Sequence, residues 1–204
     1  MGERGEPGHP VDGDAAFRQR LHALFGDAGT PAAVADADLA GETVTRLAIA
    51  AEAGLAPTGG RVPWQLVPAA TRQQRDRVIR NFEICNADAL TRRDGGDCSV
   101  RAQLDALRRA PAQHSVFATT TPRGTAGVDA SVGAAAAVPA AAALAQLRLA
   151  ARAAGLLAVW ITALDADAMR HALDVPGAGP FVGHLCLGHP ASQHTRTETD
   201  DPDA

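Results

Sequence analysis

The chain reads as an α+β domain on three grounds. Segments with helical spacing of apolar residues are interspersed with short β-rich runs, without the regular strand–helix alternation of a parallel sheet. No GxGxxG follows a first strand, which argues against a doubly wound nucleotide-binding fold. With 204 residues, 46% apolar and 21% charged, one core of ordinary size can be buried.

The elements follow in order. Residues 1–14 mix Gly, Pro, Asp and Glu without apolar periodicity and read as a disordered N-terminal segment. Residues 15–190 form the folded domain and 191–204 a flexible acidic tail. TVTRLAIAAEA (43–53) places Val44, Leu47, Ala48 and Ala51 on one helical face and stops at Gly54, just before Pro57. Trp64–Val67 is a short strand. Residues 71–90 read as one helix, with Val78, Phe82 and Cys85, or Ile79 and Phe82, on its apolar side. TRRDGGDCS is a loop by its glycines and charges. A short helix, 100–109, ends at Pro111, and the β-branched run 115–121 is a strand.

The alanine-rich run 140–154 is a long helix ending at Gly155, and its small residues suit close packing at a centre or a subunit interface. LLAVWITAL (156–164) is continuously apolar, the mark of a buried strand. Residues 166–173 form a helix capped by Asp165, and FVGHLCL (181–187) is the last strand.

Composition excludes several function classes. All 19 basic residues are Arg, so neither a Schiff-base lysine nor a P-loop lysine exists. A net charge of −4 gives no pull toward nucleic acid or an anionic membrane surface. Three widely spaced cysteines, Cys85, Cys98 and Cys186, form neither a disulfide framework nor a CxxC zinc site, which points to a reducing, cytoplasmic setting. The polar N-terminus has no secretory h-region, and alanine is too weakly hydrophobic for the 133–147 stretch to span a bilayer. Alanine fills 46 positions and aromatics only 3%, so the core is built from Ala, Leu and Val.

Four segments carry candidate chemistry. In APTGGRVPW (56–64) two glycines and a hydroxyl expose backbone N–H groups suited to an anion or the polar edge of a flat ring; taken alone, a helix-to-strand turn with Gly at αL positions explains it better. Thr162, near the end of a buried strand, either presents its hydroxyl to a ligand or satisfies its own turn. His184 and Cys186 share a strand face, but no second cluster completes a metal site. Asp165, Asp167 and Asp174 surround one short helix and read as caps and solvated charges. No GxSxG, HExxH or SxxK pattern is present.

Taken in order, LAIAAEAGLAPTGGRVPW, FEICNADALTRR, RRAP, LRLAARAAGLLAVWITALDADAMRHALDVP and FVGHLCLGHP resemble the FMN-dependent nitroreductase family. Within it they are most similar to the flavin-destructase branch, the 5,6-dimethylbenzimidazole synthases, over about three quarters of the chain. The resemblance implies an α+β nitroreductase-like fold with a central, antiparallel-rich sheet flanked by helices, working as an intertwined homodimer with FMN at the subunit interface. It implies a cytoplasmic flavin oxidoreductase, with NAD(P)H as reductant, that acts on reduced FMN and O₂ or passes electrons to a small acceptor. In cofactor binding it assigns Thr58, Gly60 and Arg61 of the glycine loop, Gln146 of the central helix, and Thr162, which stands where the destructases carry a serine. The catalytic assignments are Thr162 and, as the counterpart of the family's N-terminal aspartate, Asp27.

The N-terminal arginine motif of the family is displaced here to Arg18 and Arg20, which makes Arg61 the cation expected to compensate by reaching the phosphate or ring. That departure leaves a second reading: a family member that has lost FMN and serves as a ligand-binding or protein-interaction scaffold.

Overall fold

The computed structural model describes residues 33–53, 64–92, 98–119 and 130–191, with side chains from 137 onward in the last stretch. The first helix, α1 (Gly41–Ala53), buries Val44, Leu47 and Ala51, the face its spacing specifies. Strand β1 (Trp64–Pro68) follows. Helix α2 (Arg72–Cys85) starts at a capping box: the Thr71 hydroxyl accepts from the Gln74 N–H, and the Gln74 side chain accepts from the Thr71 N–H.

The single helix expected over 71–90 is two, α2 and the short α3 (Ala87–Thr91). Asn86 leaves helical geometry at φ −117°, ψ 19°, and its amide donates back to the Phe82 carbonyl at 2.8 Å. Val78 and Phe82 are fully buried as expected, whereas Cys85 is exposed.

Helix α4 (Cys98–Arg109) leads into β2 (Ala112–Ala118), which starts three residues earlier than its β-branched run suggests. Pairing of Ala112, Gln113 and His114 with Leu187, Cys186 and Leu185 overrides local propensity there. The central helix α5 (Ala130–Ala153) starts ten residues before the expected 140 and contains Pro139. A proline inside a helix removes one backbone donor, and 24 residues of mostly alanine tolerate the loss. Strand β3 (Leu157–Ile161), helix α6 (Ala166–Ala172) capped by Asp165, and β4 (Phe181–Gly188) complete the described fold.

The sheet is antiparallel throughout, in the order β1-β2-β4-β3. Helices α1 and α5 cover one face, where Ala140, Ala143, Leu144, Leu147 and Ala151 meet Val116, Leu185 and Leu187. Helices α2, α4 and α6 cover the other, where Phe82, Leu107 and Met169 meet Phe117, Ile161 and Cys186. Past β4, Val34 bridges to Pro190, with backbone bonds of 2.8 Å from Ala35 to His189 and from Ala191 to Ala33. Among the described residues no helix is long and apolar enough to cross a membrane.

Candidate functional site

Antiparallel pairing brings four strand ends to one edge of the sheet. Trp64 opens β1 opposite Ala118 at the end of β2, the Ala118 N–H donates to the Pro180 carbonyl at 2.8 Å, and Ile161 at the end of β3 stands opposite His184. Segments leaving this edge are where binding groups sit on a rigid scaffold.

Thr162 is the first residue beyond β3 and is exposed. Its carbonyl accepts from the Leu164 N–H at 2.8 Å, closing a tight turn, and its hydroxyl makes no hydrogen bond among the described residues. That turn is held from α2. Asn81, 5% exposed, donates through Nδ2 to the Asp165 carbonyl at 3.0 Å and accepts from the Asp165 N–H at 3.1 Å. Nδ2 of Asn86 donates to the Ala163 carbonyl at 3.0 Å.

Trp160 lies two residues before Thr162 and packs toward α5. Its indole N–H donates to the Val182 carbonyl at 3.3 Å. Only glycine fits beside it: Gly183 has φ +153°, and a Cβ there would collide with Trp160 Nε1 and lie 3.0 Å from the Ile161 carbonyl. The Arg148 guanidinium, from α5, stands 5.9 Å from the Trp160 ring centroid. Partial burial and the neighbouring Arg152 lower the Arg148 pKa, and no carboxylate pairs with Arg148 among the described residues. An exposed hydroxyl, an aromatic wall and a cation with no carboxylate partner among the described residues suit a flat ligand rich in acceptor oxygens. At the other end of the edge, the Trp64 indole donates to Glu52 Oε1 at 2.7 Å, tying β1 to α1.

Of the residues expected from the sequence, Thr162 and Gln146 lie in the described structure, both exposed, on β3's exit and on α5, two elements that pack together. Asp27, Thr58, Gly60 and Arg61 lie outside the described residues. Sequence reasoning missed Arg148, Asn81 and Asn86. The asparagines carried a signal: Asn is a poor helix former, so one inside a helix and another at its end point to side-chain tasks.

Both ring nitrogens of His184 have protein partners. The side chain is fully buried, with Nδ1 2.9 Å from Ser115 Oγ and Nε2 3.3 Å from Gln113 Oε1. The Gln113 amide nitrogen is committed to the Leu107 carbonyl at 2.7 Å, so Gln113 Oε1 accepts from His184 Nε2–H and Nδ1 accepts from the Ser115 hydroxyl. Burial pushes the His184 pKa down to about 3, helped by His114 and Arg75. Burial likewise pushes the Cys186 thiol pKa up, so it stays a neutral core residue.

Comparisons with known proteins agree with this architecture. The family model described as "Nitroreductase family" matches residues 35–189. The chain is 35% identical, over 92% of its length and 90% of the relative's, to 5,6-dimethylbenzimidazole synthase of Rhodospirillum rubrum. Among solved structures, a nitroreductase-like protein of Exiguobacterium sibiricum 255-15 in complex with FMN superposes with a TM-score of 0.62 at 13% identity, covering 84% of this chain and 88% of that one. An NADPH:FMN oxidoreductase of Vibrio harveyi complexed with NAD+ gives 0.62 at 15% identity, covering 83% and 68%. Both structures share the fold. On the extent of the family match and the identity to the R. rubrum enzyme, this chain belongs to the nitroreductase family.

Proposed function

We propose that the chain is an FMN-dependent oxidoreductase of the 5,6-dimethylbenzimidazole synthase type, placed in cobalamin biosynthesis and acting in the cytoplasm. The observation that carries this reading is the 35% identity to the R. rubrum synthase across nearly the whole of both chains. Supporting it, Thr162 lies exposed two residues beyond Trp160, whose ring has the Arg148 guanidinium 5.9 Å away, so a hydroxyl, an aromatic surface and a positive charge are available to a flavin.

Bound FMN supplies the redox chemistry, with NAD(P)H as the source of electrons and O₂ or a small acceptor as their destination. The chain supplies position. Thr162 donates its hydroxyl to an acceptor on the ring edge, and Trp160 keeps water from that side. Gln146 contributes a polar group from α5. Thr58, Gly60 and Arg61 bind the flavin from the glycine loop, Arg61 replacing the family's displaced N-terminal arginines, and Asp27 acts as the catalytic carboxylate.

The active unit is a homodimer with the cofactor between subunits. Two large apolar side chains on the packed pair α1 and α5, Ile49 at 61% and Val138 at 68% exposure, support a partner surface there.

The test starts with purified protein and FMN. Stoichiometric binding, followed by anaerobic reduction and admission of air, is expected to consume flavin and yield a benzimidazole. Reoxidised FMN as the sole product would narrow the activity to electron transfer. Protein that leaves micromolar FMN unbound contradicts the proposal.

A further inference from the structure

We infer that Asn81 and Asn86 are positioning residues that fix the turn carrying Thr162, an assignment resting on the reading of Thr162 as the group that meets the flavin. The turn has little of its own to hold it. Only the bond from the Leu164 N–H to the Thr162 carbonyl lies within residues 162–164. Three side-chain bonds reach it from α2 and the residue that ends it, two between Asn81 and the Asp165 backbone, at 3.0 and 3.1 Å, and one from Asn86 to the Ala163 carbonyl, at 3.0 Å. Helix α6 adds two at its cap, from the Met169 N–H to the Asp165 carbonyl at 3.0 Å and from the Ala168 N–H to Asp165 Oδ1 at 2.7 Å.

Each asparagine is itself held. Oδ1 of Asn81 also accepts from the Cys85 thiol at 3.3 Å, so every polar atom of this buried amide has a partner. Nδ2 of Asn86 is shared between the turn and the Phe82 carbonyl at the end of α2, 2.8 Å away. Phe82 is fully buried, which anchors that helix end in the core. The chain of contact therefore runs from the core through α2 to Ala163 and Asp165, the residues immediately beyond the exposed Thr162 hydroxyl. Small errors at such a position are costly: a misplacement of about 1 Å costs on the order of a hundredfold in rate.

The helix alone does not account for the pair. Asparagine is a poor helix former, and Asn86 breaks the helix where a better former would continue it. Asn81 spends its donor on a turn 84 residues away in sequence, and Asn86 divides its donors between the Phe82 carbonyl and the same turn, 77 residues away.

The experiment is a double-mutant cycle between Asn86→Ala and Thr162→Val in the FMN-loaded enzyme, read as kcat for turnover of reduced FMN and as the dissociation constant for FMN. Asn86→Ala is expected to lower kcat about tenfold, with FMN affinity changed by less than about threefold. In the Thr162→Val background the same change should cost less than about twofold, because the group being positioned is gone. A full tenfold loss in that background, or unchanged kcat in the single variant, overturns the assignment.

Asn81→Asp gives a readout that needs no flavin. It keeps the acceptor for the Asp165 N–H and loses the donor to the Asp165 carbonyl, so amide hydrogen exchange at Leu164 and Asp165 should speed up about tenfold in the cofactor-free protein. Unchanged exchange there contradicts the clamp itself. A wild-type protein that takes up no FMN while those amides respond as expected refutes the flavin reading, leaving the clamp as a fact of the fold alone.

Discussion

On one side of the sheet, α5 lays Ala140, Ala143 and Ala151 beside Leu144 and Leu147. On the other, Phe82, Phe117, Ile161 and Met169 surround a buried polar chain of Gln113, His184 and Ser115. On the first face the alanines of α5 let helix and sheet approach closely around Leu144, Leu147, Val116, Leu185 and Leu187. The second is made of large side chains whose loss leaves a cavity, plus polar groups that depend on one another. The proposed site draws Trp160 and Arg148 from the alanine face, and its turn is braced by Asn81 and Asn86 from the other. The proposed site thus depends on both layers, one supplying its groups and the other bracing their position.

The contrast can be broken most sharply at Phe117, which is fully buried and packs against Phe181 with ring centroids 5.5 Å apart and ring planes tilted by 57°. Phe117→Ala is expected to cost about 3–5 kcal/mol in urea denaturation. Next is Gly183→Ala, where the added Cβ meets the Trp160 indole at a φ of +153°. Strain and displacement of the ring should cost about 3 kcal/mol and shift the tryptophan emission.

Acid acts on the polar face. His184 is neutral in the fold with a pKa of about 3, against about 6.5 in the unfolded chain. Between those values the unfolded chain binds more protons, so stability is complete above pH 6.5 and falls as pH drops toward 3. The loss by pH 5 is about 2 kcal/mol from this residue. His114, its Nδ1 buried without a partner among the described residues and its pKa lowered by burial and by Arg75, adds to it in the same direction. Denaturation at pH 7.5 and 5 measures the difference, and His184→Gln should flatten it. The smallest effect belongs to the alanine face: Ala143→Gly should cost only about 1 kcal/mol, mostly through helix propensity.

Much of this fold was legible in residue patterns. Val44, Leu47 and Ala51 named the buried side of α1, Asp165 its role as cap, and the run after Gly155 a strand. The start of α5 was not, because alanine has no amphipathic stripe to mark a boundary and Pro139 reads locally as a stop. The start of β2 was hidden because Gln113 and His114 are polar and precede the β-branched run; Gln113 is buried, and His184, 71 residues away, satisfies it. The site was legible only in part for the same reason. Thr162 announced itself at a strand end, whereas Arg148 gains its meaning from Trp160 and the asparagines theirs from Ala163 and Asp165.

The claim that a flavin lies against the exit of β3 is tested most directly by tryptophan fluorescence. The chain has two tryptophans, so Trp64→Phe leaves Trp160 as the sole reporter. Titration of that variant with FMN should quench Trp160 emission in step with flavin uptake, saturating at one FMN per chain. Bound, yellow protein with Trp160 emission unchanged would place the cofactor elsewhere and contradict the account.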